Sequence, residues 1–224
     1  MNALAMRMGA RPSELCQLAG RWAGTVPEHG IMSEQKIDGW RCLYFPGLDG
    51  DVGLWTRGGQ PLHGAGHVLE RLMQVEAALG GPHMIDGEFQ VDGSLAATKA
   101  HCERGWRLGN AGTFFAFDAV PLADWERGRC DIPLYERKAA LQRAIEATKP
   151  CADAWEWAEG SHGVGHGVDP VSYLDDGWLF DADDVHAAAQ RVWGAGGEGL
   201  VLKDPMAAYV RARSDSWLKV KIGA

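Results

Sequence analysis

Long apolar runs, paired cysteines, low-complexity linkers and an excess of positive charge are all missing from this 224-residue sequence. Each absence excludes something. No stretch approaches the ~20 consecutive apolar residues that cross a bilayer, and the opening MNALAMRMGAR is too brief and too weakly apolar for a secretory signal. No membrane partner is expected, and the cytoplasm, of a bacterium or of a viral host, is the expected compartment. The five cysteines, Cys16, Cys42, Cys102, Cys130 and Cys151, are odd in number and scattered, without the paired spacing of a zinc site or a disulfide framework. Reduced thiols follow. A formal charge of −8 opposes broad binding to nucleic acid, because phosphate neutralisation supplies most non-specific affinity. A polynucleotide would need a local basic surface, or a second chain or domain.

What is present is ordinary globular composition, 46% hydrophobic and 23% charged, with an unusual ten tryptophans. The length suits one mixed domain over residues 1–224, with no repeat or linker to divide it. The stretch from Ser13 to Ala23 suits a short helix, and SEQKIDGWRCLYF reads as strand, turn, strand. Gly53 to Arg57 suits a further hairpin strand, and apolar spacing from His67 to Leu79 predicts a helix. MIDGEFQV and TFFAFDAV read as strands, while LYERKAALQRAIEAT and DADDVHAAAQRVWGA read as amphipathic helices. EGLVLKDP and WLKVKIG return to strands. Trp155 to Val168 is the least regular segment, and its two histidines in SHGVGHG lack a third ligand nearby. Without a regular βαβ repeat, the pattern predicts an α+β domain of antiparallel sheets flanked by helices.

The chemistry gathers around Lys36-Ile37-Asp38-Gly39-Trp40-Arg41, which mounts a lysine beside a tight turn, a carboxylate and an arginine. A lysine amine is a nucleophile only once it has shed its proton, so its neighbours matter. Alone, such a turn occurs by chance in many hairpins. Here it is followed in order by Arg57 in WTRGG, by Asp86 to Glu88 in IDGE, by Glu198 in GGEGLVLKDP, and by Lys219 and Lys221 alternating in WLKVK. Strand alternation puts the last two on one face.

These pieces, from about Glu34 to Lys221, resemble the nucleotidyltransferase domain of ATP-dependent DNA ligases, a superfamily that includes RNA ligases and mRNA capping enzymes. The resemblance implies an ATP-grasp-like adenylation fold and a reaction in which Lys36 attacks the α-phosphate of ATP and carries AMP. It further implies that Lys219 and Lys221 neutralise the phosphates, that Glu198 holds Mg2+ or Mn2+, and that Glu88 contacts the ribose or a metal. Arg41 would contact ribose or phosphate, Ile37 would border the nucleotide, and Phe117 and Val201 would enclose the adenine. Glu34 would accept a hydrogen bond from its amino group, and Arg57 would hold the 5′-phosphate of a nick. Asp38 either shapes the turn or meets a metal. Phe115 and Phe117 share a face by alternation, so at least one is expected to pack in the core. Arg211 and Arg213 read as a solvated loop or a polynucleotide contact. The implied partner is nicked duplex DNA, bound by a monomer. An oligonucleotide-binding-fold (OB-fold) domain, which such ligases carry after WLKVK, is not expected here, so a separate OB-fold or other DNA-binding partner enters the reading. An RNA ligase, a capping enzyme, or a non-catalytic nucleotide-binding module of a repair or replication assembly are the alternatives.

Overall fold

A computed structural model describes residue 11 and residues 14–46, 53–150 and 169–221. Their strands are β1 (Leu18–Arg21), β2 (Ile31–Gln35), β3 (Trp40–Phe45), β4 (Gly53–Thr56), β5 (His83–Gln90), β6 (Thr113–Pro121), β7 (Arg129–Cys130), β8 (Val171–Tyr173), β9 (Asp176–Leu179), β10 (Gly199–Lys203), β11 (Tyr209–Val210) and β12 (Arg213–Lys221). The helices are α1 (Gly66–Leu79), α2 (Leu95–Glu103), α3 (Leu122–Glu126), α4 (Leu134–Ala147) and α5 (Ala182–Gly194), with a 3-10 turn at Gly105–Leu108. This is the α+β architecture expected from the sequence. Asp181 opens α5 by accepting a 2.7 Å hydrogen bond from the Asp184 amide, which satisfies one of the orphan donors of the first turn.

Two five-stranded sheets carry the molecule, ordered β1-β12-β10-β2-β9 and β4-β3-β5-β6-β8. Pairing is antiparallel except for β1 with β12 and β6 with β8. Alternation along β3 explains the layering. Cys42 and Tyr44 point into one core, where Val68, Leu72 and Val75 of α1 and Leu141, Ala144 and Ile145 of α4 cover the outer face of the second sheet. Leu43 and Phe45 point the other way, into a core shared by the two sheets with Met84, Phe117, Val120, Trp125 and Trp217. A third core packs Val185, Ala188 and Ala189 of α5 on Ile31, Leu200, Leu202 and Val220 of the first sheet. The order of layers is helices, sheet, sheet, helix, and a cleft opens between the sheets.

The described part of the expected N-terminal helix, Glu14 to Ala23, is not α-helical. Only a single turn forms, where the Glu14 amide donates to Arg11 O, and the chain then runs as β1 alongside β12. The Leu18 and Trp22 amides bond to the carbonyls of Ala212 and Lys219, so pairing with a strand at the far end of the sequence outweighs weak local helix propensity. Cys16, Cys42, Cys102 and Cys130 are free thiols. Among the described residues no helix is long and apolar enough to cross a membrane. Trp155 to Val168, with His162 and His166, and Cys151 lie outside the described residues.

Candidate active site

Register across the first sheet assembles one wall of the cleft. Asp176 of β9, Glu34 of β2, Val201 of β10 and Lys219 of β12 stand opposite one another in a single row. Two residues along, Lys203 pairs with Trp217, so these side chains share the same face. The cavity that results is about 420 Å³, and of the expected site residues Glu34, Lys36, Ile37, Arg41, Arg57, Glu88, Phe117, Val201 and Lys219 all line it. Lys221 reaches Glu198 at its margin.

The lysine turn is fastened from both sides. The Lys36 amide donates to Gly199 O at 2.8 Å, which locks it to the start of β10. Asp38 accepts from the Leu95 amide at 3.2 Å, and its carbonyl accepts from Gln90 Nε2 at 3.0 Å. Asp38 therefore shapes the turn by tying it to α2 and β5, and its carboxylate is engaged there. Two glycines permit the close approach. A Cβ on Gly39 would lie 2.4 Å from Phe89 O, and one on Gly199, at φ +143, would lie 2.0 Å from Val220 O.

Glu198 accepts from both lysines beside it, from Lys36 Nζ at one oxygen and from Lys221 Nζ at the other. Burial alone would raise its pKa, but these two hydrogen bonds and charges outweigh it and hold the carboxyl below its ordinary value. Lys219 shifts in the opposite sense. Partial burial, and then the charges of Lys36, Lys221, Arg41 and Arg57, push its ammonium downward, the signature of cations crowded around a place for an anion. The chain is acidic overall, yet this cleft is locally basic.

Arg41 is held in place by protein. Its Nε and Nη2 donate to Asp86 Oδ1 and Oδ2 at 2.7 and 2.5 Å, and the Tyr209 hydroxyl donates to the same carboxylate at 2.9 Å. Across the strand pair Arg41 faces Glu88, whose carboxyl burial lifts to about 7 against the opposing pull of Arg41 and Lys36.

Phe117 enters the cleft by the alternation of β6, with Phe114 and Ala116 turned to the core under α1 and α4, and a bulge follows it. Asp86 pairs with Asp118 and Gly87 with Ala116, which leaves Phe117 without a cross-strand partner, while Phe115 pairs with Glu88 on the same face. Its ring is 7% exposed and meets two cations, Lys203 Nζ at 4.1 Å and the Arg41 guanidinium at 4.9 Å from the centroid. Lys203 was not singled out in the sequence, although it lies inside EGLVLKDP. Its Nζ forms an ion pair with Glu34 Oε2 at 2.6 Å. Burial drives its pKa down to about 8. Glu34 is itself 2% exposed, with its other oxygen 2.7 Å from Lys138 Nζ.

Arg57 is exposed on the rim, and its amide donates to Arg41 O at 2.9 Å. Arg211 is half-buried, and Arg213 is exposed at the start of β12. The first lies 4.6 Å over the Trp125 ring and the second donates to Ala19 O.

The donor chemistry suits a hard cation only in part. Among the described residues no group of three or more His, Cys, Asp or Glu side chains converges as a metal cage. Magnesium, however, keeps several waters and takes one or two carboxylates together with substrate phosphate. Glu198 and Glu88 fit that pattern.

A family model for the ATP dependent DNA ligase domain matches residues 15–221. The chain belongs to that family, and its fold is that of the ligase adenylation domain. No curated protein matches it in sequence. Among solved structures, Pmar-Lig_PreS3 superposes with a TM-score of 0.71 at 21% identity, covering 98% of this chain and 50% of that one. The ATP-dependent DNA ligase of bacteriophage T7 in complex with ATP gives 0.67 at 16% identity, covering 94% and 69%. The Chlorella virus DNA ligase-adenylate gives 0.65 at 16% identity, covering 92% and 68%. The chain spans about half the length of the first of these.

Proposed function

We propose that this chain transfers AMP from ATP through Lys36, as the nucleotidyl-transferring unit of a DNA ligase. The observation that carries the reading is the position of Lys36 in a cleft that offers cations on one side and an enclosed, partly aromatic pocket on the other. ATP would lie with its adenine near Phe117, Val201 and Glu34 and its phosphates toward Lys219 and Lys221. Lys36 Nζ, after giving up a proton, attacks the α-phosphorus; the N–P bond forms as the bond to pyrophosphate breaks. The negative charge gathering on the phosphoryl oxygens is met by fixed cations, which is where most of the rate for such a transfer originates. Glu34 would accept from the adenine amino group, and Lys203, paired with Glu34, would lie beside the base.

Glu198, with Glu88, would hold Mg2+ or Mn2+ against the phosphates, where a divalent ion would supply additional charge neutralisation. The remaining steps follow the chemistry of the adenylate. AMP passes to the 5′-phosphate of a nick held by Arg57, whose planar fork suits bidentate phosphate binding, and a 3′-hydroxyl then displaces AMP to seal the strand. We take residues 1–224 to act as one adenylation unit, with a partner that grips DNA as a further expectation.

The test is incubation with labelled ATP and Mg2+ or Mn2+. A labelled protein is expected from the wild type and none from Lys36→Ala. Absence of label from the wild type across pH and metal conditions would contradict the first step. Nicked DNA, nicked RNA and hybrid duplexes then separate a DNA ligase from an RNA ligase, and labelling by GTP in place of ATP would favour a capping enzyme.

A further inference from the structure

Lys138 projects from α4 on the outer side of the second sheet's core, yet its ammonium ends beneath the pocket with only 1% of the residue exposed. It has three donors and meets three acceptors: Glu34 Oε1 at 2.7 Å, Asp176 Oδ2 at 3.1 Å and Leu174 O at 3.2 Å. The Tyr173 ring lies 4.5 Å from Nζ, and the Tyr173 hydroxyl donates to Asp176 Oδ2 at 2.6 Å. Lys138 therefore joins α4, the crossing from β8 to β9 that links the two sheets, and the carboxylate of β2. With Lys203 on the other oxygen of Glu34, two lysines and two carboxylates form a neutral buried cluster.

We propose that Lys138 is a positioning residue for nucleotide choice: it fixes the Glu34 carboxylate so that its free lone pairs meet the amino group of adenine. The inference rests on the reading that the cleft takes ATP. One observation and one general argument separate it from a merely structural role. First, α4 has its own anchor one residue away, where Arg137 Nε and Nη2 donate to Asp118 at 2.8 and 2.9 Å, so the helix does not need Lys138 to dock. In addition, a buried ion pair is often no more stable than apolar groups of the same volume, so stability alone does not account for the cluster. A carboxylate gripped at one oxygen alone would rotate. Gripped at both, it presents a fixed acceptor, and a purine with an oxo group at that position would face lone pair against lone pair.

Inosine triphosphate is the probe, since its base replaces the adenine amino group by an oxo group. The rate of adduct formation is measured by mass against nucleotide concentration for the wild type, Asp176→Asn, and Lys138→Met combined with Asp176→Asn, which keeps the cluster neutral. The wild type and Asp176→Asn should favour ATP over inosine triphosphate by about tenfold or more, the scale of one hydrogen bond to a charged group. In the double variant the ratio should fall toward one through a higher KM for ATP, with the rate at saturation little changed. A ratio equal to that of Asp176→Asn would overturn the proposal, as would a wild type without preference. If the double variant is not soluble, Lys138→Arg keeps the charge but moves its donors; a lowered ratio supports the proposal and an unchanged ratio overturns it. No adduct from ATP in the wild type would instead strike at the reading of the cleft itself.

Discussion

The charged residues of the cleft are each set by a neighbour, and two of them give measurable consequences. Asp86 is fully buried and holds Arg41 with both oxygens while accepting from Tyr209. Removing it strands a guanidinium inside the protein, so Asp86→Ala should destabilise the fold by about 3–5 kcal/mol in urea unfolding. A loss no larger than about 1 kcal/mol would mean that water reaches Arg41 freely. Glu88 gives a pH test. Its carboxyl is raised from 4.5 to about 7, chiefly by burial, so the folded protein binds more protons than the unfolded chain between those values. The neutral form's contribution is whole below pH 4.5 and is lost as pH rises through about 7. Stability measured from pH 4 to 8 should fall across that window in the wild type, and Glu88→Gln should remove this component of the slope. Parallel curves for the two proteins would contradict the assignment.

At the scale of elements, what could be read from the sequence was whatever is written contiguously. The lysine turn, IDGE, EGLVLK and WLKVK each keep their residues on one strand or turn, where alternation and turn chemistry are local rules. What escaped depends on pairing across the fold. β1 looked helical because its partner β12 lies at the other end of the chain, and the bulge that leaves Phe117 without a cross-strand partner is set by its register with β5. Lys138 and Asp176 carried no signal at all, since they matter through each other and through Glu34, which lie far apart in the sequence. The turn itself is testable at this scale. Gly39→Ala would place a methyl group 2.4 Å from Phe89 O, so the loop must move away from β5. We expect a fold that remains intact and an adduct rate reduced by at least about tenfold, because small displacements of a nucleophile are costly. An unchanged rate would show that the turn tolerates another path.

For the molecule as a whole, the two sheets divide the work. The first brings cations and Glu34 to one wall through the register of β12, β10 and β2, and the second brings Arg41, Glu88 and Phe117 to the other through β3, β5 and β6. Neither sheet alone encloses the cleft. This explains why the −8 charge of the chain was a poor guide to its site, because basic residues drawn from distant segments converge on the cleft. The central claim is that this cleft loads AMP on Lys36. Intact mass of the protein after exposure to ATP and Mg2+, followed by peptide mapping, tests it most directly. The account predicts a gain of one AMP, carried on the peptide that contains Lys36. An unmodified mass in protein shown to bind ATP, or an adduct on any other residue, would contradict it.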